Sequence, residues 1–253
     1  MSANTITQIL HLSRSGMLAN LNDLDNVSNN LANVNTTGYK SSRLNFQETL
    51  SRAVLGGVAA ETTQHQFAEG SFQTTQDPLN MVIDGEGYFA VRLPDGRTAY
   101  TRDGNFHRDA NGQIVTDDGY RLIWGGTLPQ NYDDVQVTPD GTGTIRILQG
   151  NTWRTIGQIS VTRFANPDGL QGVGQNLWLA TNVSGNPQTD TAGTTAATGG
   201  SYGRILGNLL ENSNVNMAEE MSQAILLERA YTFSVRAFQQ TDQMFGLANQ
   251  MRR

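Results

Sequence analysis

The side chains that could do chemistry in this sequence are few and far apart. Three histidines occur, His11, His65 and His107, and cysteine is absent altogether. No two histidines stand at the short helical spacing of an HExxH zinc site. A disulfide, a thiolate metal site and a cysteine nucleophile are excluded. The sequence therefore predicts neither a metal ion nor another cofactor.

Carboxylates offer the remaining route to acid–base catalysis. Asp117 and Asp118 are neighbours in sequence, and Asp133 is followed by Asp134. Adjacent side chains on an extended strand point to opposite faces, so neither pair brings an acid and a base together. Turn formation accounts for these residues better, and we expect no enzymatic activity. A hydrolase that uses Asp117, Asp118 or Asp133 stays open as an alternative.

The three tryptophans, Trp124, Trp153 and Trp178, could form a stacking platform for a carbohydrate. A large aromatic side chain in a β domain more often belongs to the core or to a strand face. A glycan-binding module that uses these rings is therefore kept only as a second alternative.

Charge and hydropathy exclude several classes of partner. The 253 residues carry a formal net charge of −6, and no run of Lys or Arg occurs. A nucleic-acid surface needs clustered basic residues, which this sequence lacks. No stretch approaches the roughly eighteen apolar residues that suggest a membrane-spanning helix. The N-terminus also lacks the basic region and apolar core of a cleaved signal peptide. We expect no nucleic-acid partner and no membrane insertion.

Both ends of the chain show the pattern of a long helix. Near the N-terminus, apolar residues recur every seven positions: Leu10, Met17, Leu24 and Leu31. Val34 belongs to a second row, three residues after the first. A seven-residue apolar repeat is typical of a helix that packs along another helix. We expect a helix over about residues 4–35, followed by Gly38 in the left-handed conformation.

The C-terminal helix has the same repeat. Its seven-residue series consists of Met217, Ala224, Tyr231, Phe238 and Phe245, with Met221 and Val235 beside it. The side chain of Ser213, Asn214 or Asn216 is expected to cap the helix, because its oxygen can accept a backbone hydrogen bond. Glu219 and Glu220 suit the first turn, where the helix dipole favours negative charge.

Between these helices the sequence has the character of an antiparallel β domain. Short β-prone runs such as YFAVRL, TAYT and TIRIL are separated by turn dipeptides. Asp-Gly occurs at 84–85, 95–96, 103–104, 118–119, 140–141 and 168–169, and Asn-Gly occurs at 111–112. These dipeptides favour hairpins because both turn positions accept a positive φ. The pattern predicts a sandwich or a barrel.

The predicted fold class is therefore α+β. Residues 1–40 and 209–253 are expected to form a helical polymerisation domain, in which the two helices pair as a coiled coil. Residues 41–76 connect it to a β-rich domain over 77–208, with an exposed Thr- and Gly-rich loop near 181–203. Matching helices at both ends of a chain suit assembly, with the β domain decorating or bracing the polymer.

Three segments of the chain resemble the bacterial flagellar rod and hook family. They are SNNLANVNTTGYK (28–40), YTRDGNF (100–106) and the stretch from SNVNMAEEM through ERAY to Met244 (213–244). We call them the asparagine-rich motif, the RDGNF motif and the C-terminal motif. The resemblance extends over essentially the whole chain, and the asparagine-rich motif is its most specific part.

The resemblance implies a structural, non-enzymatic subunit of the flagellar basal body. Members of the family are exported by the flagellar type III apparatus without a cleaved signal peptide. They polymerise helically, with paired terminal helices in the inner tube and β domains in the outer layer. Rod members cross the periplasm as the drive shaft from motor to hook. The implied partners are further copies of the chain, neighbouring rod and hook proteins, the surrounding basal-body rings and the export apparatus.

The length of the chain favours a rod protein over the longer hook proteins. The RDGNF region and the C-terminal helix favour the distal rod. The chain departs from the distal rod pattern in one respect. Only about thirty residues separate Phe46 from Gln76, whereas distal rod proteins typically have a longer segment between the first helix and the β domain. The proximal rod or a short hook-type protein stays open. With this resemblance, the hydrolase alternative becomes a peptidoglycan hydrolase that travels with the rod.

The resemblance also gives a role to four asparagines, Asn29, Asn30, Asn33 and Asn35. They extend to more than one side of a helix, so we expect their amides to bond across subunit seams and fix register. Each such bond contributes about 0.5–1.5 kcal/mol. The other expected interface residues are the apolar series and the residues beside them: Leu10, Met17, Leu24, Leu31, Val34, Met217, Met221, Ala224, Tyr231, Val235, Phe238 and Phe245.

Overall fold

Two units make up the chain in a computed structural model that describes residues 3–49, 57–194 and 201–250. The helical unit is drawn from residues 1–34, 41–66 and 215–253. The β unit is drawn from residues 35–40 and 67–214. The α+β class is confirmed, whereas the coiled coil and the sandwich or barrel stay predictions.

Two long helices dominate the helical unit. Helix α1 spans Ala3–Ala32 and helix α2 spans Met217–Gln250, and the two pack against each other. Helix α1 ends three residues earlier than predicted. The reason is local: the Asn33 backbone N–H is shared between the carbonyls of Asn29 and Asn30, which tightens the last turn. Over the described residues, neither helix is apolar enough to span a membrane.

The start of α2 follows the predicted capping pattern. The Asn216 Oδ1 accepts a hydrogen bond from the Ala218 N–H at 3.1 Å, so Asn216 is the cap among the three candidates. Glu219 and Glu220 stand in the first turn. The side-chain oxygen satisfies one of the amide groups that the helix itself leaves without a partner.

A strand pair completes the helical unit. Strands β1 (Ser42–Thr49) and β2 (Gly57–His65) pair antiparallel, and both contact α1. Residues 41–76 were predicted only as a connecting segment, and no strand was assigned to them. These strands are rich in polar residues and poor in Val, Ile and Tyr, so propensity does not reveal them.

The β unit contains strands β3 to β18 within its described residues. Their bounds are Phe72–Thr74, Met81–Asp84, Phe89–Arg92, Thr98–Thr101, Phe106–Arg108, Ile114–Thr116, Arg121–Leu122, Asp134–Val137, Thr144–Gln149, Thr152–Gln158, Ser160–Arg163, Gln171–Gly174, Leu177–Leu179, Gln188–Thr191, Arg204–Gly207 and Leu209–Glu211. A single turn of 3-10 helix covers Pro167–Gly169. Strand β16 lies inside the stretch 181–203, where an exposed loop was expected.

The largest sheet has seven strands in the order β14-β15-β6-β5-β9-β8-β7. Strands β10, β11 and β12 form a separate sheet, and three strand pairs remain: β13 with β16, β4 with β17, and β3 with β18. All these named pairs are antiparallel. The last two pairs join the first strands of the unit to its last strands.

Four predicted turns connect adjacent strands as hairpins. Gly96, Gly112, Gly119 and Gly141 each have a positive φ in these turns. Gly104 and Gly169 belong to the same dipeptide class without that conformation. At Gly104 a Cβ atom would lie 1.5 Å from the Met81 carbonyl oxygen, so close packing requires the glycine there.

One large apolar core fills the β unit. Phe89, Ile145 and Ile205 are fully buried in it. A second cluster is largely aromatic and includes Tyr100, Phe164 and Trp178, with the rings of Tyr100 and Phe164 meeting edge to face at 4.8 Å. Rings in this arrangement add to the free energy gained from burial itself.

Candidate functional site

A buried ion pair lies in the β unit between residues far apart in sequence. The Lys40 Nζ is 2.6 Å from the Glu211 Oε1, and both side chains are only 1% exposed. The Lys40 ammonium also donates to the Ala68 carbonyl at 2.7 Å. The same Glu211 oxygen accepts the Gly70 N–H at 3.0 Å. Each charged group therefore has a second polar partner, as a buried charge requires.

Arg102 adds a second cation to this pair. Its Nη1 lies 3.7 Å from the Glu211 Oε2 and donates to the Ile83 carbonyl at 2.9 Å. Its Nη2 donates to the Gly85 carbonyl at 2.6 Å. Burial lowers the pKa of Lys40, and Arg102 adds to that effect, whereas Glu211 opposes it. The cluster thus places two buried cations beside one carboxylate. Its stability therefore depends on the hydrogen bonds and ion pairs that each charged group makes.

Segments from all three motifs meet around this cluster. Lys40 closes the asparagine-rich motif, Arg102 belongs to the RDGNF motif, and Glu211 precedes the C-terminal motif by two residues. The Thr37 hydroxyl donates to the Asp103 Oδ1 at 2.7 Å. The Asn214 Nδ2 donates to the same Ala68 carbonyl as Lys40, at 3.1 Å.

Gly38 makes this junction sterically possible. Its φ is +65°, and its N–H donates to the Glu211 carbonyl at 2.8 Å. A Cβ atom at this position would lie 2.6 Å from the backbone carbon of Arg102. Two features therefore require glycine at position 38. They are the left-handed backbone conformation and the close approach of the segment that contains Arg102.

The helical unit uses one asparagine of the motif as a backbone clamp. Asn30 is 1% exposed. Its Oδ1 accepts the Ser42 N–H at 3.0 Å, and its Nδ2 donates to the Ser42 carbonyl at 2.9 Å. The same Nδ2 donates to the Glu220 Oε1 at 3.2 Å. One side-chain amide thus joins α1, the start of β1 and the start of α2.

Asn26 stands four residues earlier, on the same face of α1. Its Nδ2 donates to the Ser42 carbonyl at 2.7 Å, and the Ser42 hydroxyl donates to its Oδ1 at 2.5 Å. A polar cavity of about 340 Å³ adjoins this clamp and includes Asp23 and Glu220 in its lining. Burial raises the pKa of Asp23 and that of Glu220, although a hydrogen bond from Gln223 or from Asn30, respectively, lowers it.

The other motif asparagines have different surroundings. Asn33 donates from its Nδ2 to the Asn29 carbonyl at 2.9 Å and so helps to end α1. Asn29 and Asn35 are exposed. The expectation that the four amides bond across subunit seams stays a prediction, and for Asn30 the structure provides partners within the chain itself.

The predicted apolar series divides into half-buried and exposed residues. Met17, Leu24, Leu31, Val34, Ala224, Tyr231 and Val235 are half-buried. Met217, Met221 and Phe238 are exposed, at 46%, 52% and 39%. The side chains of Leu10 and Phe245 lie outside the described residues. The assignment of this series to a subunit interface stays a prediction.

Comparison with known proteins gives matches along the whole chain. The family models that match are a flagella basal body rod protein model at residues 10–40, a flagellar hook protein FlgE/F/G D1 domain at 82–145, and a flagellar basal body rod FlgEFG protein C-terminal model at 207–251. The chain is 36% identical to the flagellar basal-body rod protein FlgG of Caulobacter vibrioides, with 97% of this chain and 99% of that protein covered. It belongs to the flagellar rod and hook family.

Further relatives identify the branch of the family. The FlgG proteins of Borreliella burgdorferi and Bacillus subtilis are each 35% identical to the chain, over 94% and 91% of its length and 96% and 93% of theirs. A FlgF protein of Mesorhizobium japonicum is 26% identical, with 92% of both chains covered. These values confirm the distal rod as the favoured branch.

Membership of this family agrees with the surroundings of the alternative catalytic residues. The Asp117 Oδ2 accepts the Asn105 Nδ2 at 2.5 Å, and the Asp118 Oδ1 accepts the Gln175 Nε2 at 3.2 Å. The Asp133 Oδ2 accepts the Gly150 N–H at 2.9 Å. All three carboxylates hold loops and turns of this flagellar chain in place. Within the described ranges, no group of three His, Asp or Glu side chains could hold a metal ion.

Sequence reasoning missed the residues that join the motifs of this family member. Lys40, Arg102 and Glu211 were not selected, because a lone charged residue beside a turn is usually solvated. Lys40 and Arg102 lie inside two of the motifs, but Glu211 stands two residues before the third, so the motifs alone did not reveal the cluster. A second group of apolar residues on α2 was also missed: the exposed Leu226, Phe233 and Met244, here called the outer apolar face of α2. Only the seven-residue series that begins at Met217 was considered.

Proposed function

We propose that this protein is a structural subunit of the flagellar distal rod and that it acts by polymerising helically into the shaft between motor and hook. The observation that carries the proposal is the outer apolar face of α2. Leu226 is 65% exposed, Phe233 is 75% exposed and Met244 is 49% exposed. Large apolar side chains grouped at this exposure indicate a surface that another protein covers.

The geometry of a helix places these three side chains on one side of α2, spread along about 27 Å of its axis. Spacings of seven and eleven residues, at 3.6 residues per turn, keep them within about 20° of one another around the helix axis. Burial of each side chain is worth about 1.5–3 kcal/mol. We therefore assign this face to contact between copies, in addition to the predicted series, which includes Tyr231 and Phe238.

Family membership supports the remaining parts of the proposal. Helices α1 and α2 pair as a coiled coil in the inner tube of the polymer, and the β unit forms a sandwich or barrel in the outer layer. The chain reaches the periplasmic zone through the flagellar type III apparatus without a cleaved signal peptide. Its partners are neighbouring rod and hook proteins and the surrounding basal-body rings.

Two experiments test this function. Cells without the gene should produce neither hook nor filament, and the wild-type gene should restore both. Normal filaments on such cells, in the absence of a second gene of the same kind, would refute the proposal. Quantification of the chain in purified hook–basal bodies distinguishes the distal rod from the proximal rod, because a longer segment needs more copies.

A further inference from the structure

A cavity of about 270 Å³ opens on the β unit. Its walls are largely aromatic, because the Tyr88 ring meets the rings of Phe67 and Phe164 edge to face, at 6.1 Å and 5.9 Å between centroids. An ion pair between Arg163 and Glu86 also lines the cavity, and the exposed Glu86 side chain reaches solvent there. The cavity therefore combines aromatic walls with a charged rim.

Two buried polar side chains also face this cavity. Tyr88 is 5% exposed, and within the described part of the chain its hydroxyl has no hydrogen-bond partner. Burial raises the pKa of Tyr88, so the hydroxyl stays protonated and can both donate and accept. The buried Arg102 shares the carboxylate of Glu211 with Lys40. A side chain that fills the cavity must supply a partner for the hydroxyl, because covering it unpaired is costly.

These groups favour an aromatic side chain that carries an N–H donor. A cationic side chain would be repelled, because Arg102 and Arg163 both line the cavity. An aliphatic side chain would cover the Tyr88 hydroxyl and give it no partner. An aromatic ring packs edge to face with the surrounding rings, and the indole of tryptophan adds one N–H. Tryptophan, tyrosine and arginine are also the residues that dominate the centres of protein interfaces.

Trp153 is the tryptophan that the fold leaves exposed. It is 45% exposed, whereas Trp178 is 6% exposed and Trp124 packs against the main core. It lies on β12, the edge strand of the sheet β10-β11-β12, and does not line the cavity of its own chain. Phe72, another exposed aromatic residue of the β unit, has no donor group. Trp153 therefore meets both requirements of the cavity.

We propose that Trp153 of one copy of this chain inserts into the cavity of a second copy, where its indole N–H donates to the Tyr88 hydroxyl. The inference rests on the proposed function, because it needs a polymer. The tryptophan and the cavity are different surfaces of the β unit, so the contact is heterologous. Each copy binds a second copy through its tryptophan and a third through its cavity. Such contacts continue as an open helix wherever the rotation between copies does not close a ring.

Charges beside the ring complement those at the cavity rim. The strand register places the exposed Asp134 in one row with Trp153, two strands or about 10 Å away on the same face. The exposed Arg146 stands on the middle strand, in the next row of that face. In the second copy, Arg163 is the counter-ion for Asp134. Glu86 is the counter-ion for Arg146. Two pairs of opposite sign fix the orientation of one copy on the next.

Cross-linking of assembled rods tests this contact. The chain has no cysteine, so Thr155→Cys beside the ring and Ala165→Cys at the cavity supply its only thiols. Both positions are exposed, and Thr155 stands two residues from Trp153 on the same strand. A short bismaleimide added to purified hook–basal bodies should convert the double variant into a ladder of dimers, trimers and longer products. Each single-cysteine variant should give no ladder.

The outcomes separate this proposal from the proposed function. Intact rods of the double variant that yield only monomers, or only dimers, would overturn the proposal and leave the structural function standing, because assembly has occurred. Absence of the parent chain from rods would refute the proposed function and this contact with it.

Further variants show whether the ring and the rim are responsible. On the two-cysteine background, Trp153→Ala should reduce the ladder by about tenfold or more. Glu86→Arg should weaken it too, and the addition of Arg146→Glu should restore it, because the two charges are then exchanged. Val173→Ala is a matched control, since Val173 is also 45% exposed but lies on another sheet. A ladder of parental intensity from the folded Trp153→Ala protein would overturn the proposal.

Discussion

The Lys40 ammonium lies 2.6 Å from the Glu211 carboxylate across 171 residues of sequence, and both side chains are buried. The attraction within such a pair is largely offset by the cost of removing both charges from water. Its importance lies in what it joins. Lys40 and Glu211 stand near the two ends of the β unit, so the pair joins those ends. Lys40 is the last residue of the asparagine-rich motif, and Glu211 lies two residues before the C-terminal motif.

Replacement of Lys40 by alanine should destabilise the β unit strongly. Glu211 would keep a buried charge without its closest partner, which costs about 3–5 kcal/mol. Denaturant unfolding, followed by the near-ultraviolet signal of the aromatic cluster, measures the change. Arg97→Ala is the control, because Arg97 and Asp95 form an exposed pair worth less than about 1 kcal/mol. Equal effects of the two substitutions would contradict this account of the junction.

Asn30→Ala should loosen the contact between α1 and the start of β1. The Ser42 N–H would lose its acceptor, and an unsatisfied buried amide costs about 1–3 kcal/mol. Hydrogen exchange of the Ser42 amide should accelerate accordingly. Asn29→Ala removes the exposed neighbour and should change stability by no more than about 0.5 kcal/mol. If both variants left Ser42 equally protected, the clamp would have no energetic role.

The cavity beside the clamp predicts a pH dependence. Burial raises the pKa of Asp23 above 3.8 and that of Glu220 above 4.5. The folded state then binds a proton at each carboxyl group more tightly than the unfolded chain does. Both groups therefore make the free energy of unfolding fall as the pH rises through the range in which they titrate. The double variant Asp23→Asn, Glu220→Gln should therefore gain stability relative to the parent as the pH rises above about 4. A difference that is constant with pH would count against this interpretation.

Gly38→Ala should cost more than the same change at Gly96. Both glycines have a positive φ, +65° and +85°, but only Gly38 has backbone atoms within 3 Å of the position that a Cβ would take. The Gly96 change should cost about 1 kcal/mol for backbone strain alone, and the Gly38 change should exceed it. Melting temperatures of the two variants provide the comparison, and equal losses would show that the junction can move apart.

Phe233→Ala tests the outer face of α2. Because this ring is 75% exposed, its loss should leave the melting temperature of the monomer within about 2 °C of the parent value. Rod assembly and motility should nevertheless be lost, because the proposed function requires another copy to cover this ring. Thr232→Ala, at the exposed position just before it, should assemble normally. A monomer that melts many degrees lower would assign Phe233 to the subunit's own fold.

Those features that depend on local periodicity or turn chemistry could be predicted from the sequence. Helix α2, its Asn216 cap and the hairpin turns at Gly96 and Gly119 were predicted because neighbouring residues determine them. Strands β1 and β2 were missed because their pairing partners and the Asn26 and Asn30 amides define them, and their own composition does not.

The candidate site shows the same limit more sharply. Tyr231 and Phe238 were selected by a seven-residue repeat, which is a property of one segment, and their place in an interface stays a prediction. Lys40 and Glu211 interact only because of the tertiary fold, and nothing within ten residues of either reveals the other. A buried ion pair is therefore visible to sequence reasoning only when the whole topology is already known.

The pairing of β4 with β17 and of β3 with β18 has a consequence for the order of folding. Strand β4 meets a partner 120 residues later, as the Asp84–Arg204 contact shows. Bringing together residues so far apart in sequence costs loop-closure entropy before the contact can form. Topologies rich in such contacts therefore fold slowly. The central hairpins can form as soon as their residues are available, but the β unit cannot close until residues 204–211 have arrived. A nascent chain of this protein therefore keeps its β unit open until the last strands, β17 and β18, have been synthesised.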